Sequence, residues 1–384
     1  MKLSEKAKKL PASGIRAMFA LAEKYDHPIN LCIGEPGFAT PQHIIDKGCW
    51  AWNHGYTKYV SNPGMAVLRE AVAEKLNRKN GFSVKPENVI ITFGANQALF
   101  SALQVALNPG DEVLVPNPCF ANYFGYIALA QAVAVPVPTY ESDHFHVKAA
   151  NLEKYITDKT RMVIINSPCN PTGSVTPKED LIEIAGLAKK HDLIVVADEP
   201  YEHILFDGSE HFSIATLPGM FERTITANGF SKTYAMTGWR IGYGVAEEEA
   251  IKAMTLVLAS TTSNVTAAVQ LAAVEALQGD QKCVADMNAE YLKRRDILVQ
   301  GLNEVKGISC IKPEGAFYAF ANIKETGMTS KEVAIKLLED VQVVTTPGDA
   351  FGPAGEGYLR FSFAASEEDI RESLTRIKRC LGTR

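Results

Sequence analysis

The sequence predicts an α/β fold with a mostly parallel seven-stranded sheet and a smaller α+β portion beside it. Three observations lead there. Short, almost wholly apolar runs recur through the middle of the chain, stretches with helical spacing stand between them, and after about residue 247 long helical patterns dominate before short strands return. A run apolar at nearly every position suits a strand covered on both faces, and its alternation with helices is what a parallel sheet requires.

In order, the strand runs are NVIITF (88–93), DEVLVP (111–116), VAVPVP (133–138), RMVIIN (161–166), DLIVVADE (192–199), TITANGF (224–230) and IGYGVA (241–246). Two of the intervening helices are legible in detail. NQALFSALQVAL (96–107) carries apolar residues at helical spacing. PKEDLIEIAGLAKKHD (177–192) opens on proline and acids and closes on lysines and histidine, the order the helix dipole favours. The long helices are VTAAVQLAAVEALQ (265–278) and CVADMNAEYLKRRDILVQGLNEV (283–305). Strand character returns at GISCIKP, GAFYAFANI, VQVVTTPG and EGYLRFSFA, with one helix near 330–340 and another at the end. The first 45 residues hold little core of their own. We therefore expect a large α/β domain over 46–285 and a small α+β domain combining 1–45 with 286–384.

Bulk properties narrow the function. Among 384 residues, 39 Lys and Arg stand against 44 Asp and Glu, a net charge of −5. That balance supplies no attraction for nucleic acid or an acidic membrane, so neither is expected as a partner. No apolar run approaches the roughly 20 residues that span a bilayer. The basic opening MKLSEKAKKLPASGIR has no apolar segment behind it. Seven cysteines are dispersed, without a C-x-x-C pair or zinc-like spacing to histidine, which suits reduced thiols in a cytoplasmic protein and no bound metal.

The residues able to do chemistry fall at strand ends. Asp198 closes the run LIVVA and emerges at the carboxyl edge, where open α/β sheets bind ligands; Tyr201 adds a second polar group at that rim. NSPCNPTG (166–173) is a rigid turn holding the amide of Asn170 at another strand end, able to donate a hydrogen bond without adding charge. In TFGANQAL (92–99), Gly94 and Ala95 let backbone N–H groups approach a phosphate at a helix N-terminus, although the loop is neither a Walker A nor a G-x-G-x-x-G motif. NGFSKTYAMTGWRIGYG (228–244) sets Lys232 in a small-residue turn with Arg240 eight positions on. Charge repulsion discourages that pairing unless something anionic and something electrophilic lie between. Each piece alone has an ordinary structural explanation: a turn acid, a glycine entering a helix, a solvated lysine. Together and in order they meet the needs of pyridoxal 5′-phosphate: a lysine for its aldehyde, a carboxylate for its ring nitrogen, and cations and amides for its phosphate.

Over nearly its whole length the chain resembles the class I/II aminotransferases, the fold-type I pyridoxal-phosphate enzymes, in the branch that holds aromatic amino acid and aspartate aminotransferases. On that resemblance IGEPGF (33–38) looks like the loop at the substrate carboxylate, with Gly34 offering its backbone. YTKY and PGMAVLREAVA (56–73) look like the segment whose tyrosine, here Tyr59, reaches a phosphate in a neighbouring subunit's site, which implies a homodimer with shared active sites. Gly94, Ala95 and Asn96 resemble the phosphate loop, and Phe120 the aromatic that stacks on the cofactor ring and borders the substrate. Asn170 and Tyr201 resemble the pair bonded to the phenolic oxygen, and Asp198 the partner of the ring nitrogen. Lys232 looks like the lysine joined to the aldehyde, its pKa lowered by Arg240 and the ring. Ser231 and Arg240 look like phosphate contacts, and Arg360 in YLRFSFA like the bidentate grip on the substrate α-carboxylate. The catalytic roles so implied fall on Lys232, Asp198 and Tyr201; Gly34, Phe120, Asn170 and Arg360 face the substrate.

The implied activity is ping-pong transfer of an amino group from an L-amino acid to a 2-oxo acid, with 2-oxoglutarate as acceptor. Departures bear on the side chain. The aspartate branch commonly has lysine at the position of Asn96, and Gly14 supplies no hydroxyl. GANQA, NSPCNPTG and FERTITANGFSKTYAMTGWR look most like the aromatic amino acid enzymes, so an aromatic or broad donor is expected first and aspartate second. Gly229 stands where some relatives carry a phosphate-binding serine, and Gly37 where aspartate is usual. A β-lyase would use the same residues and is told apart by ammonia release without an acceptor. A regulatory module would need an added basic DNA-binding segment, and none is expected here.

Overall fold

The computed structural model describes Leu10 and residues 14–384; residues 1–9 and 11–13, the rest of the basic opening, lie outside the described residues. The strands in chain order are β1 (Ile29–Asn30), β2 (Val89–Thr92), β3 (Glu112–Asn117), β4 (Val133–Pro138), β5 (Thr160–Asn166), β6 (Ile194–Asp198), β7 (Thr224–Gly229), β8 (Gly242–Val245), β9 (Tyr318–Asn322), β10 (Val343–Val344), β11 (Thr346–Pro347) and β12 (Tyr358–Ser362). Early helices are α1 (Gly14–Ala22), α2 (Gln42–Asn53), α3 (Ala66–Lys79), α4 (Ala95–Ala106), α5 (Asn122–Leu129), α6 (Ala149–Glu153) and α7 (Lys178–Lys190). Later ones are α8 (Glu248–Thr261), α9 (Ala267–Gln278), α10 (Lys282–Asn303), α11 (Ser330–Val341) and α12 (Glu367–Leu381).

The apolar runs form the seven-stranded sheet, ordered β2-β8-β7-β6-β5-β3-β4. Strands β7, β6, β5, β3 and β4 are parallel neighbours. The exception is β8, which runs antiparallel between β2 and β7. Both faces are covered, as nearly continuous apolar runs require. Val113 and Val115 face a layer that includes Leu99 of α4, Ile127 of α5 and Met254 of α8. Leu114 between them faces Leu152 of α6 and Ile184 of α7. Each such buried Val, Leu or Ile contributes about 1.5–3 kcal/mol of transfer free energy.

A second sheet, β11-β12-β9, is antiparallel throughout. Its core joins Met18 of α1 and Leu31 to Leu298 of α10, Leu337 of α11, Phe361 of β12 and Ile370 of α12. The pairing of β1 with β10 brings residues 29–30 beside residues 343–344. Two expectations need correction. GISCIKP forms no strand, only a bridge from Ser309 to Asn322, because the chain turns away after that pair. VQVVTTPG divides into β10 and β11, which pair with different partners, so one apolar run serves two sheets.

Candidate active site

Strands β5, β6 and β7 end side by side at Asn166, Asp198 and Gly229, and the turns leaving them enclose a cavity of about 340 Å³. Every expected site residue of this chain except Tyr59 lines it. Tyr59 is 90% exposed and stands outside.

The turn after β7 places Lys232. Asn228 accepts from the Gly229 N–H (2.6 Å) and donates to Glu202 (2.8 Å), which ties the turn to a buried carboxylate. Burial pushes that carboxyl up most, but Lys75, His203 and His211 together outweigh it and hold the group well below the ordinary range. Lys232 Nζ donates to the Gly34 carbonyl at 2.6 Å. Burial pushes its ammonium down to about 8; Glu35 opposes this, while Arg360 and Arg240 push the same way. The leading cause is therefore desolvation rather than the arginine named from sequence.

Asp198 is buried at the end of β6. Its Oδ2 accepts from the Tyr123 hydroxyl at 2.5 Å, and its Oδ1 has no partner among the described residues. Burial pushes the carboxyl up to about 7, against the Tyr123 hydrogen bond. A buried acceptor without a donor is costly, so Oδ1 calls for a proton-bearing group from a ligand. Asn166 organises the neighbouring turn, donating to the Asp198 carbonyl (2.8 Å) and accepting from the Asn170 N–H (2.9 Å).

Opposite, Arg360 is fully buried on β12 and donates to Asn170 Oδ1 (2.8 Å) and the Cys32 carbonyl (2.6 Å), with Nε unpartnered. Tyr201 meets the Tyr318 hydroxyl at 2.9 Å. Phe120 stands edge-on to Tyr123, ring centroids 5.5 Å apart.

At the remaining wall α4 begins at Ala95, and no side chain caps its first turn. Gly94 has φ +78°, and a Cβ there would lie 2.9 Å from Arg240 Nη2. Arg240 is itself left-handed at φ +53°, held by bonds to the Thr237 carbonyl (2.8 Å) and the Phe93 carbonyl (3.3 Å). Free helix-end amides beside a guanidinium form an anion cradle. Thr237 also donates to Glu35, which latches the 33–38 loop across the cavity mouth.

The donor set thus fits pyridoxal phosphate at three separated points: an amine with lowered basicity, an unmet carboxylate oxygen and an anion cradle. Sequence reasoning missed Tyr123, Asn166, Glu35, Thr237 and Tyr318. Tyr123 stands one helical turn beyond Phe120 and Asn166 ends the run RMVIIN, so both had a local signal. Tyr318 had none, because it reaches the cavity from the second sheet.

Fold and site together define a pyridoxal-phosphate-dependent transferase of the α/β type. Comparison with known proteins narrows the class: a family model described as aminotransferase class I and II matches residues 26–377. The chain belongs to that family and is a pyridoxal-phosphate-dependent aminotransferase, moving an amino group between an amino acid and a 2-oxo acid. It is 45% identical to an aspartate aminotransferase of Pyrococcus abyssi, over 99% of this chain and 98% of the relative. It is 44% identical to aromatic-amino-acid aminotransferase 2 of Thermococcus litoralis, again over 99% and 98%. The crystal structure of an aromatic aminotransferase from Pyrococcus horikoshii superposes with a TM-score of 0.91 at 46% identity, covering 95% of this chain and 98% of that one.

Proposed function

We propose that the donor is an aromatic amino acid, or a broad set that includes one, that 2-oxoglutarate is the acceptor, and that the two half-reactions alternate at one cavity. The neutral amide of Asn96 carries this reading. Among the described residues, the cations lining the cavity are Lys232, Arg240 and Arg360, so a second carboxylate, on aspartate or on the acceptor 2-oxoglutarate, would meet neutral groups such as the Asn96 amide, while an apolar aromatic side chain needs no cation. Gly14 adds no polar group, since a Cβ there would lie 2.6 Å from the Ala350 Cβ. The names of the two relatives favour aromatic and aspartate substrates at nearly equal identity, so aspartate is the second reading. Single-turnover half-reactions with phenylalanine, tyrosine, aspartate, alanine and kynurenine, followed by cofactor absorbance, test it. Aromatic donors should lead aspartate by about tenfold or more, and Asn96→Lys should narrow that gap; aspartate leading in the unaltered protein overturns the aromatic reading.

The roles follow from chemistry. When bound, pyridoxal phosphate supplies an aldehyde carbon for amines and a ring that accepts the electron pair left at the substrate Cα. Arg240, Ser231 and the first-turn amides at Gly94, Ala95 and Asn96 hold the phosphate. Asp198 Oδ1 keeps a proton on the ring nitrogen, and Phe120 packs on the ring. Asn170 and Tyr201 donate to the phenolic oxygen. Arg360 binds the substrate α-carboxylate next to the Gly34 backbone. Lys232, the only amine in the cavity among the described residues, would remove the Cα proton and deliver a proton to the carbon that was the cofactor's aldehyde, and a pKa near working pH suits that task.

We further infer a homodimer in which Tyr59 completes the partner's phosphate site. Its near-full exposure and the exposed Trp50, Trp52 and Leu256 support this. The division into 46–285 against 1–45 with 286–384 is supported by the core of the second sheet, drawn mostly from residues 18–32 and 287–377 and joined by Tyr201, Ile204, Phe206 and Ala235. No helix among the described residues is long and apolar enough to cross a membrane. Seven free cysteines support placement in the cytoplasm.

A further inference from the structure

Tyr318 is buried, lines the cavity, and has no part in the roles assigned so far. Three contacts define it. Its hydroxyl lies 2.9 Å from that of Tyr201. The Arg360 guanidinium sits 4.4 Å from the centre of its ring. Gly34 lies so close over the hydroxyl that a Cβ there would stand 2.3 Å from it. Tyr318 therefore touches the residue assigned to the substrate carboxylate, a residue assigned to the phenolic oxygen, and the loop whose carbonyl accepts from Lys232.

The direction of the hydroxyl pair follows from what surrounds it. Among the described residues, the Tyr318 hydroxyl has no hydrogen-bond partner other than that of Tyr201, and either oxygen can be the donor. With Tyr201 giving its proton to the phenolic oxygen, as read above, the Tyr318 proton goes to the Tyr201 oxygen, because a buried donor left unmet is costly. Tyr201 keeps its own proton free to point at a ligand. A cation over the Tyr318 ring draws electron density from its oxygen and makes the hydroxyl a better donor. A carboxylate on Arg360 offsets that cation and weakens the chain of donation.

We propose that Tyr318 is a positioning residue that links the carboxylate-binding arginine to Tyr201, so that substrate carboxylate on Arg360 weakens the hydrogen bond Tyr201 gives to the cofactor's phenolic oxygen. The proposal rests on the reading of Tyr201, Lys232 and Arg360 given above. Donation to that oxygen stabilises the form in which it bears negative charge and the neighbouring lysine nitrogen lacks its proton. Weaker donation therefore raises the pH at which the chromophore of the lysine-bound cofactor titrates.

The test is an absorbance pH titration of the holoenzyme with and without 3-phenylpropionate, a carboxylate that lacks the amino group. In the unaltered protein the carboxylate should raise the midpoint. Tyr318→Phe keeps the ring beneath Arg360 and removes the hydroxyl. Its midpoint without ligand should already stand about 0.5–1 unit higher, and the carboxylate-induced rise should shrink to less than about half its original size. Tyr318→Leu removes the ring as well and should also weaken 3-phenylpropionate binding, which Tyr318→Phe should not. Thermal melting of both variants separates these shifts from loss of fold. A Tyr318→Phe enzyme with the unaltered midpoint and the full carboxylate-induced rise overturns the proposal while leaving the parent reading in place. An unaltered protein whose chromophore does not titrate, or titrates equally in Tyr201→Phe, overturns both.

Discussion

Lys232 and Asp198 are two ionisable groups whose burial drives each toward its neutral form, the amine down to about 8 and the carboxyl up to about 7. A lysine lowered from 10.5 exposes a free amine at lower pH than a solvated one. The rate at which cofactor-free protein takes up pyridoxal phosphate should therefore rise about tenfold per pH unit up to about 8 and then level; stopped-flow absorbance checks this, and a rise continuing toward 10 would remove the buried-amine account. Tyr123 is the only hydrogen-bond partner of the Asp198 carboxylate side chain among the described residues. Tyr123→Phe leaves desolvation opposed by the Lys232 charge alone, so the carboxylate should hold the ring-nitrogen proton less well. We expect about 10–100-fold lower kcat/KM, with weaker cofactor retention by equilibrium dialysis; unchanged values of both would show that Tyr123 only fills space.

The same residues act only because particular elements bring them in. The start of α4 meets the antiparallel strand β8 so closely that a Cβ on Gly242 would lie 2.5 Å from the Gly94 carbonyl carbon and 2.6 Å from the Ala95 nitrogen. Backbone atoms cannot swing aside as side chains do. Gly242→Ala should cost about 1–3 kcal/mol of stability and lower phosphate affinity, since it displaces the amides of the anion cradle. Urea unfolding and cofactor titration measure the two effects, and native values in both would contradict the tight approach. Here the sequence was legible in part. The run IGYGVA marked a strand, but its reversed direction was not visible, because an apolar run reads the same in either sense. The helix over 177–192 was legible to its ends because its acids and lysines follow the dipole; it spans Lys178–Lys190.

For the whole molecule, Tyr59 and Leu256 are the most exposed large apolar side chains among the described residues, and Trp50 and Trp52 are exposed as well. Sedimentation should give a mass about double that of one chain. In that assembly Tyr59→Phe should lower phosphate affinity by about tenfold or less, the worth of one hydrogen bond, without altering the mass. A fully active monomer would dismiss the shared site.

Read as a sequence, the chain determined its family, its sheet and most residues of the cavity. It could do so because strand ends carry local signatures: an apolar run, then a small-residue turn, then a single reactive side chain such as Asp198, Asn170 or Lys232. What holds those side chains in place was decided only in three dimensions. The contacts of Tyr123 with Asp198, of Tyr201 with Tyr318 and of Arg360 with Asn170 join residues 75, 117 and 190 positions apart. No periodicity spans such distances. The partner of a buried polar group is set by which surfaces pack against it, and here those surfaces come from two sheets built from distant parts of the chain.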